Sequence, residues 1–259
     1  MMSHDDMTDI EADEGFAPFP ASGLAGLPVP ERKWIIEGFL PAKSFGVLFS
    51  PRGDARDYLV MDMLMASVEQ ACFQPILARD PDVARYRPTW RGRSVEAARI
   101  VYATSAHHPE DLQEQAMLRA LEHGLELKDV SIRFVQTVPD LLKGEGPEFA
   151  RSIERDGGAD LIVIDDVEAA LGNGDEDNVE HIGRLVAAAR ELRRKTQATV
   201  LLLHSDQLAK SQRRGWAPSM HLVETVLQVV PEGARGFHLL VARKLRYAPL
   251  PKPITFEAR

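Results

Sequence analysis

The alternation of short apolar segments with longer amphipathic ones constrains the fold most. Strands are predicted for "SFGVLFS", "ARIVYATS", "VSIRFVQT", "ADLIVIDD" and "ATVLLLHS". Helices are predicted between them, because apolar residues recur at helical spacing in "DYLVMDMLMASVEQA", "PEDLQEQAMLRALEHG", "GPEFARSIERDGG" and "NVEHIGRLVAAARELRRK". Strands that alternate with helices build a parallel sheet with helices on both faces. The sequence therefore predicts an α/β fold with a mostly parallel, twisted sheet.

The two ends of the chain break this alternation. After Val223 the pattern changes to strands without long helices, which predicts antiparallel strands at the C-terminal end of the sheet. Residues 1–30 combine an acidic start with "FAPFPASGLAGLPVPE", a composition that cannot support a packed core. We therefore predict a flexible N-terminal arm over residues 1–30 and one α/β domain over residues 31–259.

Charge and cysteine content restrict the class of protein. The net charge of −8 argues against a broadly basic nucleic-acid-binding surface. Residues 1–14 hold six acids and no Lys or Arg, so the rest of the chain is nearly neutral. The single cysteine, Cys72, excludes an intrachain disulfide and fits a reducing compartment. No apolar run is long enough to cross a bilayer, and we expect a cytoplasmic protein without a membrane partner.

The segment "GVLFSPRGDARDYLV" has the strand, glycine-bearing loop and helix of a phosphate-binding P-loop. That motif reads G-x-x-x-x-G-K-[ST]. On this template Ser50 stands at the first glycine and Ala55 at the second. Arg56 replaces the lysine, and Asp57 replaces the hydroxyl residue. The local pattern of a nucleotide site is present, but its key side chains differ.

These differences change the chemistry of a phosphate site. The loop keeps Gly53 but adds the carboxylates of Asp54 and Asp57. A carboxylate about 5 Å from a phosphate charge costs roughly 3 kcal/mol at an effective dielectric constant near 20. We expect these two carboxylates to cap the following helix and to pair with Arg52 or Arg56. The protein's own carboxylates then fill the anion site.

Five segments, taken in order, resemble those of the RecA-like ATPases, specifically the plasmid RepA and DnaB-type replicative helicase branch. They are "WIIEGFLPAKSFGVLFSPRG", "WRGRSVEAARIVYATS", "LIVIDDVEAALGNGDEDN", "GRLVAAARELRRKTQATVLLLHS" and "KLRYAP". The resemblance covers roughly residues 33–257 and implies a RecA-like fold. It does not by itself imply activity.

The resemblance also suggests roles for individual residues. Asp165 falls at the Walker B position, which holds Mg²⁺ in the family, and His204 falls at a polar sensor position. Lys244 and Arg246 match a finger that reaches the phosphates of the neighbouring subunit. The position of the catalytic base is Ala106, so no catalytic residue is expected. The alternative roles are helix capping for Asp165, a structural role for His204, and a solvated pair of basic residues for Lys244 and Arg246.

A basic segment, "LAKSQRRGWAPSM", lies where this family often places mobile DNA-facing loops. Lys210, Arg213 and Arg214 supply positive charge, and Trp216 is an aromatic residue able to stack on a base. These four residues are the candidate nucleic-acid contacts. A plain basic surface loop is the alternative.

Three functions stay open on the sequence. The favoured one is a catalytically inactive family member that needs no cofactor and assembles with itself or with an active RecA-like homologue in DNA replication or recombination. The second is a weak ATPase in which Arg56 and Asp57 still bind Mg-ATP. The third is a DNA-binding module that works without nucleotide.

Overall fold

The computed structural model describes residues 31–51, 53–105, 108–205, 215–233, 236–246 and 248–258. Residues 33–259 form one compact unit. Two short antiparallel pairs accompany the main sheet: β1 (Trp34–Ile36) with β2 (Leu40–Pro41), and β4 (Thr89–Trp90) with β5 (Arg93–Ser94).

The main sheet has eight strands in the described part of the chain. They are β3 (Phe45–Phe49), β6 (Ile100–Thr104), β7 (Ile132–Val135), β8 (Leu161–Asp165), β9 (Thr199–His204), β10 (Thr225–Pro231), β11 (Phe237–Leu245) and β12 (Ile254–Glu257). Their spatial order is β12-β11-β10-β3-β9-β8-β6-β7. All neighbours from β10 to β7 are parallel, whereas β11 is antiparallel to both β10 and β12. The predicted sheet, with antiparallel strands at its C-terminal end, is confirmed.

Helices cover both faces of this sheet. They are α1 (Asp54–Arg79), α2 (Pro109–Glu122), α3 (Gly146–Arg155), α4 (Val167–Leu171) and α5 (Val179–Thr196). One apolar core joins α1 and α2 to the sheet, and a second core joins α3, α4 and α5 to its opposite face. Among the described helices, none has the length and apolar character needed to cross a membrane.

Helix α1 is longer than its apolar periodicity indicates. The pattern ends near Ala71, but the helix continues through Pro75 to Arg79. A proline within a helix removes one backbone hydrogen bond. Residues 59–70 of α1 are almost fully buried, and this packing stabilises a helix that local propensity would end earlier.

A polar cluster joins α1, the β4–β5 turn and the end of α2. The Asp62 carboxylate accepts hydrogen bonds from Trp90 Nε1 at 2.8 Å and from Arg91 Nη2 at 3.0 Å. The His123 ring bridges two acids, with Nε2 3.2 Å from Asp62 Oδ1 and Nδ1 3.0 Å from Glu69 Oε2. The hydrogen bond to Asp62 raises the pKa of His123, and the contact to Glu69 adds to this effect. Burial by itself raises the pKa of Asp62, but its partners, with His123 foremost, bring it below its usual value.

This cluster predicts a pH-dependent part of the stability. Because the native state raises the pKa of His123, its stabilisation is complete below the ordinary value of 6.5 and is lost as pH rises through the raised pKa. Asp62 contributes above 3.8 and loses its contribution as pH falls through its lowered pKa. We expect His123→Gln to lose about 1–2 kcal/mol near pH 5.5 and less at high pH. Urea unfolding from pH 5 to 9 measures this difference.

The matched control is His221→Gln, because the His221 ring contacts the Pro218 carbonyl oxygen, at 2.7 Å, rather than a carboxylate. Near pH 5.5 this variant should lose less stability than His123→Gln, because it removes no contact with a carboxylate. A His123→Gln deficit that stays constant across this range would contradict a charged bridge.

Candidate functional site

The carboxyl ends of three neighbouring parallel strands bring the predicted site residues together. In the sheet register Phe49 at the end of β3 faces His204 at the end of β9, and Asp165 at the end of β8 faces Leu203. Parallel strands end at the same edge of a sheet, and this is where open α/β folds place their ligands. The loop that follows β3 therefore lies beside Asp165 and His204.

The β3–α1 loop keeps the outline of a P-loop. The backbone N–H of Ser50 donates to the His204 carbonyl oxygen at 3.0 Å. Gly53 has a φ of 138°, a conformation that favours glycine, and it occupies the N-cap position of α1. The prediction that Asp54 or Asp57 caps this helix is wrong, because α1 already begins at Asp54. The side chain of Asp54 and all of Arg52 lie outside the described residues.

Arg56 makes polar contacts through each of its three guanidinium nitrogens. Its Nε lies 2.9 Å from Asp57 Oδ1, and its Nη2 lies 2.9 Å from Asp165 Oδ1. Its Nη1 donates to Ser205 Oγ at 2.5 Å and lies 3.9 Å from Asp166 Oδ2. The arginine side chain is only 10% exposed. Arg56, Asp57, Asp165, Asp166 and Ser205 form what we call the Arg56 cluster.

Asp165, predicted at the Walker B position, is the most buried carboxylate of this cluster, at 1% exposure of its side chain. Its Oδ2 accepts a hydrogen bond from the Tyr102 hydroxyl at 2.8 Å. Burial raises the pKa of Asp165, against the opposing effects of Arg56 and Tyr102. Burial alone would lower the pKa of Arg56, but Asp165 and Asp57 raise it, so the guanidinium stays charged.

The next residue, Asp166, has a different role. It is the N-cap residue of α4, and its Oδ1 accepts from the backbone N–H of Ala169 at 3.3 Å. Its Oδ2 accepts from the Ser205 hydroxyl at 3.0 Å. Asp166, rather than Asp165, therefore caps the helix that follows β8.

Comparison with known proteins agrees with this architecture. Residues 81–208 match the sequence profile of a family described as an AAA domain. A KaiC-like protein of the hyperthermophilic archaeon Pyrococcus horikoshii OT3 superimposes with a TM-score of 0.55 at 16% identity, covering 86% of this chain and 89% of that one. The fold is RecA-like. The predicted resemblance is thereby confirmed at the level of the fold.

Two further solved structures share the RecA-like fold. The RadB recombinase is 13% identical, with a TM-score of 0.50 and coverage of 83% of this chain and 87% of that one. The other is described as an ATPase domain and is 8% identical, with a TM-score of 0.53 and coverage of 82% of this chain and 80% of that one. Among curated proteins, none is significantly similar in sequence.

A magnesium–nucleotide complex, which RecA-like folds commonly bind, does not fit the Arg56 cluster as it stands. Three carboxylates surround one guanidinium, so the cluster carries a net negative charge before any phosphate approaches. On the predicted P-loop alignment, Asp57 offers a carboxylate at the hydroxyl position, and Arg56, at the lysine position, is already paired. The mismatch with magnesium–nucleotide lies in the side chains of the site, whereas the RecA-like fold itself is retained.

His204 and Trp216 form an aromatic layer beneath this edge of the RecA-like sheet. The Trp216 ring lies 5.5 Å from those of Phe49 and His204, measured between centroids. His204 is buried, and its Nε2 lies 3.8 Å from Glu176 Oε2. The prediction that Trp216 stacks on a nucleic-acid base is wrong, because the side chain is 1% exposed.

Close packing around Gly215 explains why Trp216 points inward. A Cβ atom on Gly215 would lie 2.5 Å from the Glu176 carbonyl oxygen and 2.8 Å from Ile182 Cγ1. Only glycine permits this approach, and the next residue then enters the core. Three of the other sequence predictions, Lys210, Arg213 and Arg214, lie outside the described residues, as does Ala106.

The two residues of the predicted finger contact their own chain. Lys244 Nζ donates to the Met220 carbonyl oxygen at 2.8 Å, and Arg246 Nη2 donates to that of His221 at 2.6 Å. Burial and the charge of Arg246 lower the pKa of Lys244. These contacts tie the end of β11 to the segment that precedes β10. The role of Lys244 and Arg246 in a neighbouring subunit stays a prediction.

Sequence reasoning missed two members of the site's polar network, Tyr102 and Ser205. Tyr102 belongs to β6, the neighbour of β8 in the sheet, and Ser205 directly follows β9. A single hydroxyl-bearing aromatic residue within the buried strand "RIVYAT" is the signal that could have suggested a polar partner across the sheet.

Proposed function

We propose that this chain is a catalytically inactive homologue of the RecA-like ATPases, of the RepA and DnaB helicase type, that acts by assembly rather than by hydrolysis. One observation carries the proposal. The side chain at the lysine position, Arg56, is engaged by Asp57 and Asp165, the positions that would otherwise serve magnesium. Ala106 at the position of the catalytic base points in the same direction.

Electrostatics supports the absence of nucleotide binding. Each carboxylate about 5 Å from a phosphate charge costs roughly 3 kcal/mol at an effective dielectric constant near 20. Arg56 offsets only part of this cost, because its charge is shared among Asp57, Asp165 and Asp166. A triphosphate would have to break these pairs before it gained the arginine.

A partner is proposed because the chain keeps the RecA-like fold but not the side chains that ATP hydrolysis requires. The candidates are a second copy of this chain, an active RecA-like homologue, or DNA-bound replication or recombination machinery. Size measurement by light scattering, with and without DNA, distinguishes a ring, a monomer and a DNA complex.

The test of inactivity uses the purified natural chain. We expect no Mg-ATP binding by calorimetry and no hydrolysis above a buffer control. The matched variant is Asp165→Ala, which removes the Walker B carboxylate. A turnover that collapses in this variant would overturn the proposal and favour the weak ATPase.

A further inference from the structure

We infer that the Arg56 guanidinium is a built-in cation that stands in place of a divalent metal ion, and that the surrounding carboxylates become a divalent-cation site once it is removed. The inference rests on the proposed function, since it states which group occupies the site in place of its usual ligand. It concerns the chain without nucleotide, so it is tested separately.

The geometry places the guanidinium between the two positions that serve magnesium in RecA-like ATPases. Asp57 replaces the hydroxyl residue of the P-loop, and Asp165 is the Walker B acid. Both carboxylates lie 2.9 Å from nitrogens of the same arginine. One cation thus joins the two elements that a metal ion would otherwise join.

The other groups around the guanidinium are also oxygen donors. Ser205 Oγ lies 2.5 Å from Nη1, and Asp166 Oδ2 lies 3.9 Å from it. Carboxylate and hydroxyl oxygens are the ligands that hard divalent cations prefer, and magnesium commonly needs only one or two carboxylates because it keeps several waters. With Arg56 in place, no group of three or more His, Cys, Asp or Glu among the described residues is arranged to hold a metal ion, so the shell becomes available only once the guanidinium is removed.

Burial favours a cation at this point. Asp165 is 1% exposed, and the side chains of Asp57 and Asp166 are each 21% exposed. Like charges held this close need compensation when water is excluded. The guanidinium belongs to the chain itself, so it supplies this positive charge at any concentration of metal. Tyr102 fixes Asp165 from the other side, at 2.8 Å, so the carboxylate is held ready without the arginine.

The experiment compares the natural chain with Arg56→Ala, using MnCl₂ as the probe and no nucleotide. Without metal, the variant should melt below the natural chain, because its carboxylates lose their counterion. Mn²⁺ at about 100 times its Kd should raise the melting temperature of the variant by roughly 5–10 °C. The natural chain should not respond. Adding Asp165→Asn to the variant should abolish the response, and Mn²⁺ titration by electron paramagnetic resonance should count the bound ion.

The control is Arg99→Ala. Arg99 also pairs with a carboxylate, Asp160, at 2.8 Å, but this pair is exposed and lies at the opposite ends of the strands. This variant should show no response to Mn²⁺. If Arg56→Ala does not fold, Arg56→Met keeps the aliphatic packing and replaces it in every measurement.

Two results would overturn the inference. One is a folded Arg56 variant that does not bind Mn²⁺. The other is Mn²⁺ binding by the natural chain that Asp165→Asn abolishes, because the guanidinium would then not occupy the metal position. Mg-ATP binding by the natural chain is a separate result, and it counts against the proposed function.

Discussion

A variant that combines Ser50→Gly, Ala55→Gly, Arg56→Lys and Asp57→Thr is expected to bind Mg-ATP, which the natural chain should not bind. The two glycines allow the loop N–H groups to converge on phosphate. The threonine hydroxyl replaces the carboxylate of Asp57, and lysine lacks the planar fork with which Arg56 contacts two carboxylates in the natural chain. Mg-ATP at 100 times its Kd should stabilise this variant by about 2.7 kcal/mol. Calorimetry and thermal unfolding measure both effects.

Without ligand the same variant should be less stable than the natural chain by about 2 kcal/mol. Part of this loss comes from the flexibility of the added glycines, and part from the buried ion pairs of Arg56 that lysine does not reproduce. Hydrolysis should stay absent, because Ala106 is unchanged. Arg56→Lys alone is the control, and it should gain little affinity while Asp57 keeps its carboxylate. A folded quadruple variant that does not bind Mg-ATP would show that another feature prevents nucleotide binding.

The order of the strands and helices could be predicted from the sequence because the signals are local. Each buried parallel strand is a short apolar run, as in "LIVIDD", and α5 carries its apolar stripe at helical spacing. The same local signals failed where packing decides the outcome. Pro75 suggests an end to α1, but the helix, anchored by its buried residues 59–70, continues to Arg79.

The contacts of the candidate site could be predicted only in part. Pairing of Arg56 with Asp57 is local and follows from their adjacency. The contact of Arg56 with Asp165 joins distant segments, and it depends on the fold placing β3 and β8 on either side of β9. The basic residues before Trp216 suggested a surface aromatic, because composition does not reveal the close approach at Gly215.

Trp216→Ala is expected to cost about 3–5 kcal/mol of unfolding free energy, in the range of buried aromatic truncations. The indole is 1% exposed and packs against both Phe49 and His204, so its removal leaves a cavity beside these two rings. Urea unfolding measures the loss. A base-stacking residue on the surface would cost almost nothing when truncated, and a loss below about 0.5 kcal/mol would contradict the buried placement.

The matched variant is Trp216→Phe, which separates ring packing from hydrogen bonding. Among the described residues, the Trp216 indole N–H has no hydrogen-bond partner. Phenylalanine keeps most of the contact with Phe49 and His204 and removes a buried donor that is costly to leave unpaired. We therefore expect Trp216→Phe to cost less than about 1.5 kcal/mol, far less than alanine. Equal losses for phenylalanine and alanine would instead mean that the indole N–H binds a group outside the described chain, and that this bond rather than ring packing anchors the residue.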